Sequence, residues 1–185
     1  DLIEAGMTII VDETDGTAII DPDMATVNKY MKKKADCQAR RAALNVFREQ
    51  PTVDADGKGY CLFANSGSVQ DVEEAAAAGA EGIGLFRTEH LFMRSDHLPD
   101  EEEQYEAYQA IADIMPDKPI FMRTMDAGGD NVIDFLNMEP ERNPNLGHCA
   151  IRYCLDRPEM FKEQLRALLR ASAAYHNIRI MLPVI

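Results

Sequence analysis

Apolar and polar positions divide the chain into three regimes. In residues 1–21, the short β-branched runs Thr8-Ile9-Ile10-Val11 and Thr17-Ala18-Ile19-Ile20 flank Asp12-Glu13-Thr14-Asp15-Gly16. The Asp-Gly pair predicts a hairpin turn. So short a segment cannot bury a core alone, so the hairpin is expected to belong to a larger domain. Asp21-Pro22-Asp23 then reads as a helix start, with a capping aspartate and a proline in the first turn. Met24 to Arg48 contains neither glycine nor proline, which predicts a helix of about 25 residues, roughly 38 Å long. Its apolar positions Met24, Val27, Met31, Ala35, Ala42 and Val46 make only a thin seam. A long polar helix of this kind bridges two domains. Gln50-Pro51 ends it.

From Gly59 onward, apolar runs alternate with helical patterns. Tyr60 to Asn65, Glu81 to Arg87, Pro119 to Met125 and Ile178 to Pro183 are predicted strands. Val69 to Ala78, capped by Ser68 and stopped by Gly79, is a predicted helix, as are Glu101 to Met115 and Pro158 to Ala174. Residues 126–147 form a loop with some short structure inside it, and residues 149–153 are a short helix or strand. Strand–helix alternation gives an α/β fold with a parallel sheet covered by helices. An open doubly wound sheet and a (β/α)8 barrel compete. The first strand–helix loop, Ser66-Gly67-Ser68, lacks the dinucleotide fingerprint G-x-G-x-x-G. Four strand–helix units amount to half of a barrel, and both chain ends look cut, so an excised piece of a larger protein is expected.

Composition narrows the function. The 185 residues carry 32 acidic and 19 basic side chains, a formal charge of −13. That balance is a poor match for nucleic acid or an anionic membrane. The basic run Lys32-Lys33-Lys34 and the pair Arg40-Arg41 read as a solvated helix face. No run approaches the roughly 18 apolar residues of a membrane span, and the first residues resemble no signal peptide. Cys37, Cys61, Cys149 and Cys154 form no C-x-x-C pair and read as reduced thiols of a cytoplasmic protein.

In parallel α/β folds the chemistry lies at the C-terminal strand ends. Those ends hold Arg87-Thr88-Glu89 and Arg123-Thr124-Met125-Asp126. One arginine alone is best read as pairing with a nearby acid such as Glu89 or Asp126. Two at matched ends of strands about 5 Å apart favour a shared anionic ligand, since the guanidinium fork fits carboxylate or phosphate. Asp126-Ala127-Gly128-Gly129-Asp130 allows close backbone approach to a ligand but is a weak phosphate signal. Glu101-Glu102-Glu103 reads as an acidic first helical turn, not a metal site. His90, His97, His148 and His176 are scattered and read as structural. No P-loop or G-x-S-x-G is present.

Several motifs in order carry a family resemblance. They are Gly82-Ile83-Gly84-Leu85-Phe86-Arg87-Thr88-Glu89, Phe121-Met122-Arg123-Thr124-Met125-Asp126-Ala127-Gly128-Gly129-Asp130, Asn143-Pro144-Asn145-Leu146-Gly147 with Ala150-Ile151-Arg152, and Gln164 to Ser172. Together they resemble Enzyme I of the bacterial sugar phosphotransferase system, the phosphoenolpyruvate (PEP)–protein phosphotransferases. The resemblance implies three parts. Residues 1–21 end a swivelling phosphohistidine domain, 22–52 are the interdomain linker helix, and 53–185 are the N-terminal half of a PEP-binding (β/α)8 TIM barrel. It implies a cytoplasmic homodimer that uses Mg2+, phosphorylates its own histidine from PEP and passes the phosphoryl group to the carrier HPr for sugar uptake. Arg87 and Arg123 map onto the arginines that grip PEP. The phosphoacceptor histidine, the Mg2+ ligands and the acid–base cysteine map outside the chain, so it holds no catalytic or metal residue and is expected to be inactive alone. Two alternatives stay open: another PEP-utilising enzyme, such as pyruvate phosphate dikinase or PEP synthase, and a non-catalytic regulatory paralogue. One departure bears on this. His148-Cys149 stands where the family has an aromatic residue and a site-lining arginine, so either Arg152 or another group compensates or substrate binds more weakly.

Overall fold

The computed structural model describes residues 3–48, 50–129, 131, 133–139 and 141–185. The chain divides into two compact units, Asp1–Gln50 and Pro51–Ile185.

In the first unit, β1 (Ile9–Asp12) and β2 (Thr17–Ile20) form an antiparallel hairpin in which Asp12 faces Thr17. Asp12 Oδ1 accepts the Thr14 and Asp15 amides at 3.0 and 3.3 Å, which folds the turn, and Gly16 takes a positive φ of 61°. Helix α1 (Met24–Leu44) begins where expected. Asp23 caps it by accepting the Thr26 amide at 2.7 Å. Pro22 stands before that cap, not within the first turn. A 3-10 turn over Asn45–Phe47 closes the helix. None of the side chains of α1 is buried, and Met24, Met31 and Leu44 are exposed. Lys33 of α1 reaches the hairpin, bonding to Asp12 and, at 2.9 Å, to Asp15.

The second unit is built on β3 (Ala64–Ser66), β4 (Ile83–Arg87), β5 (Ile120–Arg123) and β6 (Ile178–Met181). All three pairings are parallel, and the strand order β3-β4-β5-β6 follows the sequence. A doubly wound sheet would reverse its order at a switch point; these four strands do not. The connections carry α2 (Val69–Ala78), α3 (Glu89–Arg94), α4 (Glu101–Ile114), α5 (Ala150–Leu155) and α6 (Pro158–Tyr175). Ser68 caps α2 and Gly79, at φ 90°, closes it. Asp100 and Glu103 form a reciprocal capping box on α4.

Val72 of α2, Tyr108, Ile111 and Ala112 of α4, and Ala167, Leu168 and Ala171 of α6 pack against Ile83, Phe86, Ile120, Met122 and Ile178. These are period-3.6 stripes meeting period-2 positions on β5, while on β4 a register shift between Ile83 and Phe86 keeps both on the core face. The sheet's other face carries Leu85, Arg87, Phe121, Arg123 and Arg179, by strand alternation and register. Phe121 there lies 6.2 Å from the Phe63 ring and 5.7 Å beneath Arg179. A second apolar cluster joins Phe92, Met125, Ala127, Ile133, Tyr153 and Cys154, which seats α3, α5 and the long loop at the C-terminal strand ends. Glu101 bonds to Arg166 and Arg170, and Glu102 to Arg170, so the acidic first turn of α4 docks on α6.

The structure corrects the strand bounds, adds one helix and decides one open alternative. The first strand is shorter and later than residues 60–65. Tyr60, Leu62 and Phe63 are exposed, and Tyr60 pairs back to Thr52 through a 2.8 Å backbone bond. Helix α3 was not anticipated, because only six residues separate Thr88 from Ser95 and its buried Glu89 breaks any apolar pattern. Residues 149–153 resolve to helix, with Cys149 as the cap of α5. Strands β4, β5 and β6 are each shorter than their apolar runs.

Two outcomes follow from this packing. Leu168→Ala removes a fully buried side chain from the α6–sheet contact and is expected to destabilise the unit by about 2–5 kcal/mol, read from denaturant midpoints. The second concerns Asp12, whose carboxyl is held below its usual 3.8, chiefly by the Lys33 hydrogen bond. A depressed folded-state value contributes stability above pH 3.8 that is lost as pH falls through the folded value. Lys33→Met is expected to move the Asp12 titration up toward 3.8, followed by carboxyl-carbon NMR; an unmoved titration would contradict the assignment.

Candidate functional site

Arg87 ends β4 and Arg123 ends β5, and the two are direct partners in the parallel register. Register partners on neighbouring strands point to the same side. The preceding core-facing pair, Phe86 and Met122, turns into the helices, so both guanidinium groups lie on the opposite face, at its C-terminal edge.

Their surroundings differ. Arg123 bonds through Nη2 to Glu89, a fully buried carboxylate at the start of α3, and through Nη1 to Asp126 at 2.9 Å. The simpler expectation, that an arginine here pairs with Glu89 or Asp126, is therefore met at Arg123. It is not met at Arg87, whose side chain makes no hydrogen bond or ion pair among the described residues. Arg87 Nε and Arg123 Nε are both buried donors without a partner, and Glu89 Oε2 is a buried acceptor without one. Buried polar groups are ordinarily satisfied, so two unpartnered Nε donors at one strand edge could serve an additional acceptor. Among the described residues, Asp71 feels the Arg87 charge. Its carboxyl is held below the usual range first by the Gly67 amide, 2.8 Å away, and also by the Arg87 charge.

Backbone anchoring of this edge is extensive. Thr88 Oγ1 donates to the Arg123 carbonyl at 2.6 Å, which ties the end of β4 to the end of β5. The Met125 amide donates to Gln164 Oε1 at 2.9 Å. The Gln164, Tyr108 and Gln104 side chains are buried and bonded to one another in sequence. Sequence reasoning missed this chain. Its signal was available: Gln104 and Gln164 occupy positions on the apolar stripes of their helices, four residues before Tyr108 and Leu168.

Beyond the strand ends, Gly128 (φ 106°) and Gly129 (φ 59°) make a tight turn closed by paired backbone bonds between Gly128 and Asn131, both 3.0 Å. A Cβ on Gly128 would come within 2.6 Å of the Cys149 Cβ, so glycine is required for this approach. Asp130 lies outside the described residues. A cavity of about 410 Å³ opens here, lined by Gly128, Gly129, Met138, Glu141, His148 and Cys149. Cys149 is buried at its wall. Arg152, the candidate substitute for a missing arginine, directs Nη1 to the carbonyls of Leu146, at 2.7 Å, and Gly147.

His97, His148 and His176 make their contacts away from the arginine pair, whereas the His90 ring lies against Gly67, whose amide bonds Asp71. His97 lies between Asp96 and Glu103, and Asp96 foremost holds its pKa above the usual value. His148 is 2.7 Å from Asp156, and His176 closes α6 in the left-handed conformation. The Cys154 thiol is pushed up to about 12 by burial, so it is not a nucleophile at neutral pH. Among the described residues, no group of three or more His, Cys, Asp or Glu side chains is placed to hold a metal, and no helix is long and apolar enough to cross a membrane.

Residues 41–185 match the family described as PEP-utilising enzyme, PEP-binding domain. Over 183 residues, 99% of its length, the chain is 45% identical to a protein named phosphoenolpyruvate-protein phosphotransferase from Priestia megaterium. It is 44% identical over the same length to proteins of that name from Staphylococcus carnosus (strain TM300) and Bacillus subtilis (strain 168). The matched stretch is 32% of each relative, so the chain spans about a third of the length of the curated relatives it matches. A match running from residue 41 to residue 185 places this chain in the PEP-utilising enzyme family, as part of its PEP-binding domain.

Proposed function

We propose that this chain supplies part of the PEP site of a phosphoenolpyruvate–protein phosphotransferase. The enzyme moves the phosphoryl group of PEP to its own histidine and then to HPr, in the service of sugar uptake. The reading is carried by Arg87 and Arg123 in direct register, each with an unsatisfied buried Nε. Two planar forks on one sheet edge suit the phosphate and carboxylate of one small dianion. Their role is to hold the phosphate and neutralise charge during transfer.

The charge balance argues that the site is shared with residues outside this chain. Glu89 and Asp126 contact Arg123, and Asp71 feels Arg87, so three carboxylates accompany two guanidinium groups. Such a cluster lacks the positive excess a dianion needs. The remaining charge would come from Mg2+ and further arginines beyond this chain. When bound, Mg2+ would polarise the phosphoryl oxygens. Its ligands are read as lying outside this chain, and the isolated chain is expected to be inactive.

The finer architecture belongs to the same proposal. Helices packed on one sheet face, with strands in sequential order, support residues 53–185 as the N-terminal half of a TIM barrel whose inner face carries Arg87 and Arg123. The hairpin in 1–21 would then end the swivelling domain, and 22–52 would be the linker. Cytoplasmic location and a homodimer complete the reading. Cys149 is the one observation favouring a regulatory paralogue, since a buried thiol stands where the family resemblance expects an arginine.

Two experiments on the full-length protein test this. Arg87→Ala and Arg123→Ala are each expected to lower kcat/KM for PEP by at least about 100-fold; a loss under about threefold for both would remove the basis of the reading. Cys149→Arg is expected to lower the KM for PEP, and an unchanged or raised KM would count against the Cys149 argument.

A further inference from the structure

Gln164 makes three side-chain hydrogen bonds from the buried face of α6. Its Oε1 accepts the Met125 amide at 2.9 Å, while Nε2 donates to Thr88 Oγ1 at 3.1 Å and to Tyr108 Oη at 3.3 Å. Tyr108 Oη donates to Gln104 Oε1 at 3.1 Å, and Gln104 Nε2 donates to the Pro99 carbonyl at 2.8 Å. Thr88 Oγ1 passes its own proton to the Arg123 carbonyl. The chain therefore ends on three backbone groups whose character is invariable: the Pro99 and Arg123 carbonyls, which only accept, and the Met125 amide, which only donates. Each side-chain proton between them then has one consistent direction, so neither amide can flip without losing bonds.

The positions so anchored bracket the arginines. Thr88 follows Arg87, and the Arg123 carbonyl and Met125 amide bracket Thr124, the residue immediately after Arg123. An apolar residue at 164 would leave the buried Met125 amide without its acceptor and Thr88 without its donor. Buried orphans of that kind are relieved by backbone movement or water entry.

We propose that Gln164 is a positioning residue. Its amide, acting through Thr88 and Met125, sets the separation at which Arg87 and Arg123 present their forks to a shared anion. The inference rests on the PEP reading above.

The test uses the full-length protein and the KM for PEP, with circular dichroism and melting temperature measured on every variant. Gln164→Leu and Thr88→Val are each expected to raise KM about tenfold or more, as misplaced binding groups do. The double variant should be no worse than the worse single, because both break one linkage. Thr88→Ser, which keeps the hydroxyl, should restore KM to within about threefold of wild type. Leu168→Ala on the same helix should lower the melting temperature while leaving KM unchanged. An unchanged KM in Gln164→Leu, multiplicative losses in the double variant, or an equal KM rise in Leu168→Ala would each overturn the proposal. Where Gln164→Leu does not fold, the Thr88→Val and Thr88→Ser pair decides. If Arg87→Ala also leaves KM unchanged, the PEP reading itself has failed; if Arg87→Ala raises KM and the Gln164 and Thr88 variants do not, only the positioning role has.

Discussion

Two like charges in direct register on neighbouring strands repel, and the C-terminal edge of the sheet is arranged around that fact. Unit charges as far apart as the strands, about 5 Å, repel by roughly 3 kcal/mol at an effective dielectric constant of 20. Glu89 and Asp126 offset the Arg123 charge directly, while among the described residues Arg87 has only the longer-range influence of Asp71. The two guanidinium groups are thus unequal: one is braced and the other is open. A braced cation keeps its orientation when no ligand is present, and an open one has donors to offer. The short helix α3 follows from the same constraint, since its first residue must carry Glu89 back beneath the end of β5.

Much of this was legible in the residues. Strand–helix alternation, Ser68 and Gly79 at the ends of α2, and Asp23 before α1 are local signals, and local geometry obeyed them. The matched strand ends holding Arg87 and Arg123 followed from the same alternation, because parallel strands of similar length align their termini. The failures have physical causes. Tyr60 to Phe63 has strand-forming side chains, yet Tyr60 turns its amide to Thr52, so the β-propensity of this run is used outside the sheet. The Gln164 chain escaped notice because its partners come from three distant segments, and pairwise spacing along a sequence carries no trace of such convergence. Only the mismatch of a polar residue on an apolar stripe hinted at it.

Membership of the PEP-utilising family and the geometry support each other without duplicating one another. The family match says what kind of domain residues 41–185 belong to. On the proposed reading, the register of β4 with β5 makes the chain one wall of an anion site whose own charges nearly cancel. Such a wall would gain selectivity from incompleteness, since it would bind firmly only when further cations arrive.

The thiols carry a separate consequence. Cys37 and Cys61 are exposed, whereas Cys149 and Cys154 are buried, one at the cavity wall beside the glycine turn and one in the second apolar cluster. With no tryptophan in the chain, intrinsic indole fluorescence cannot follow its opening. The Cys154 sulfur supplies an internal clock instead: its alkylation rate measures how often the second apolar cluster opens.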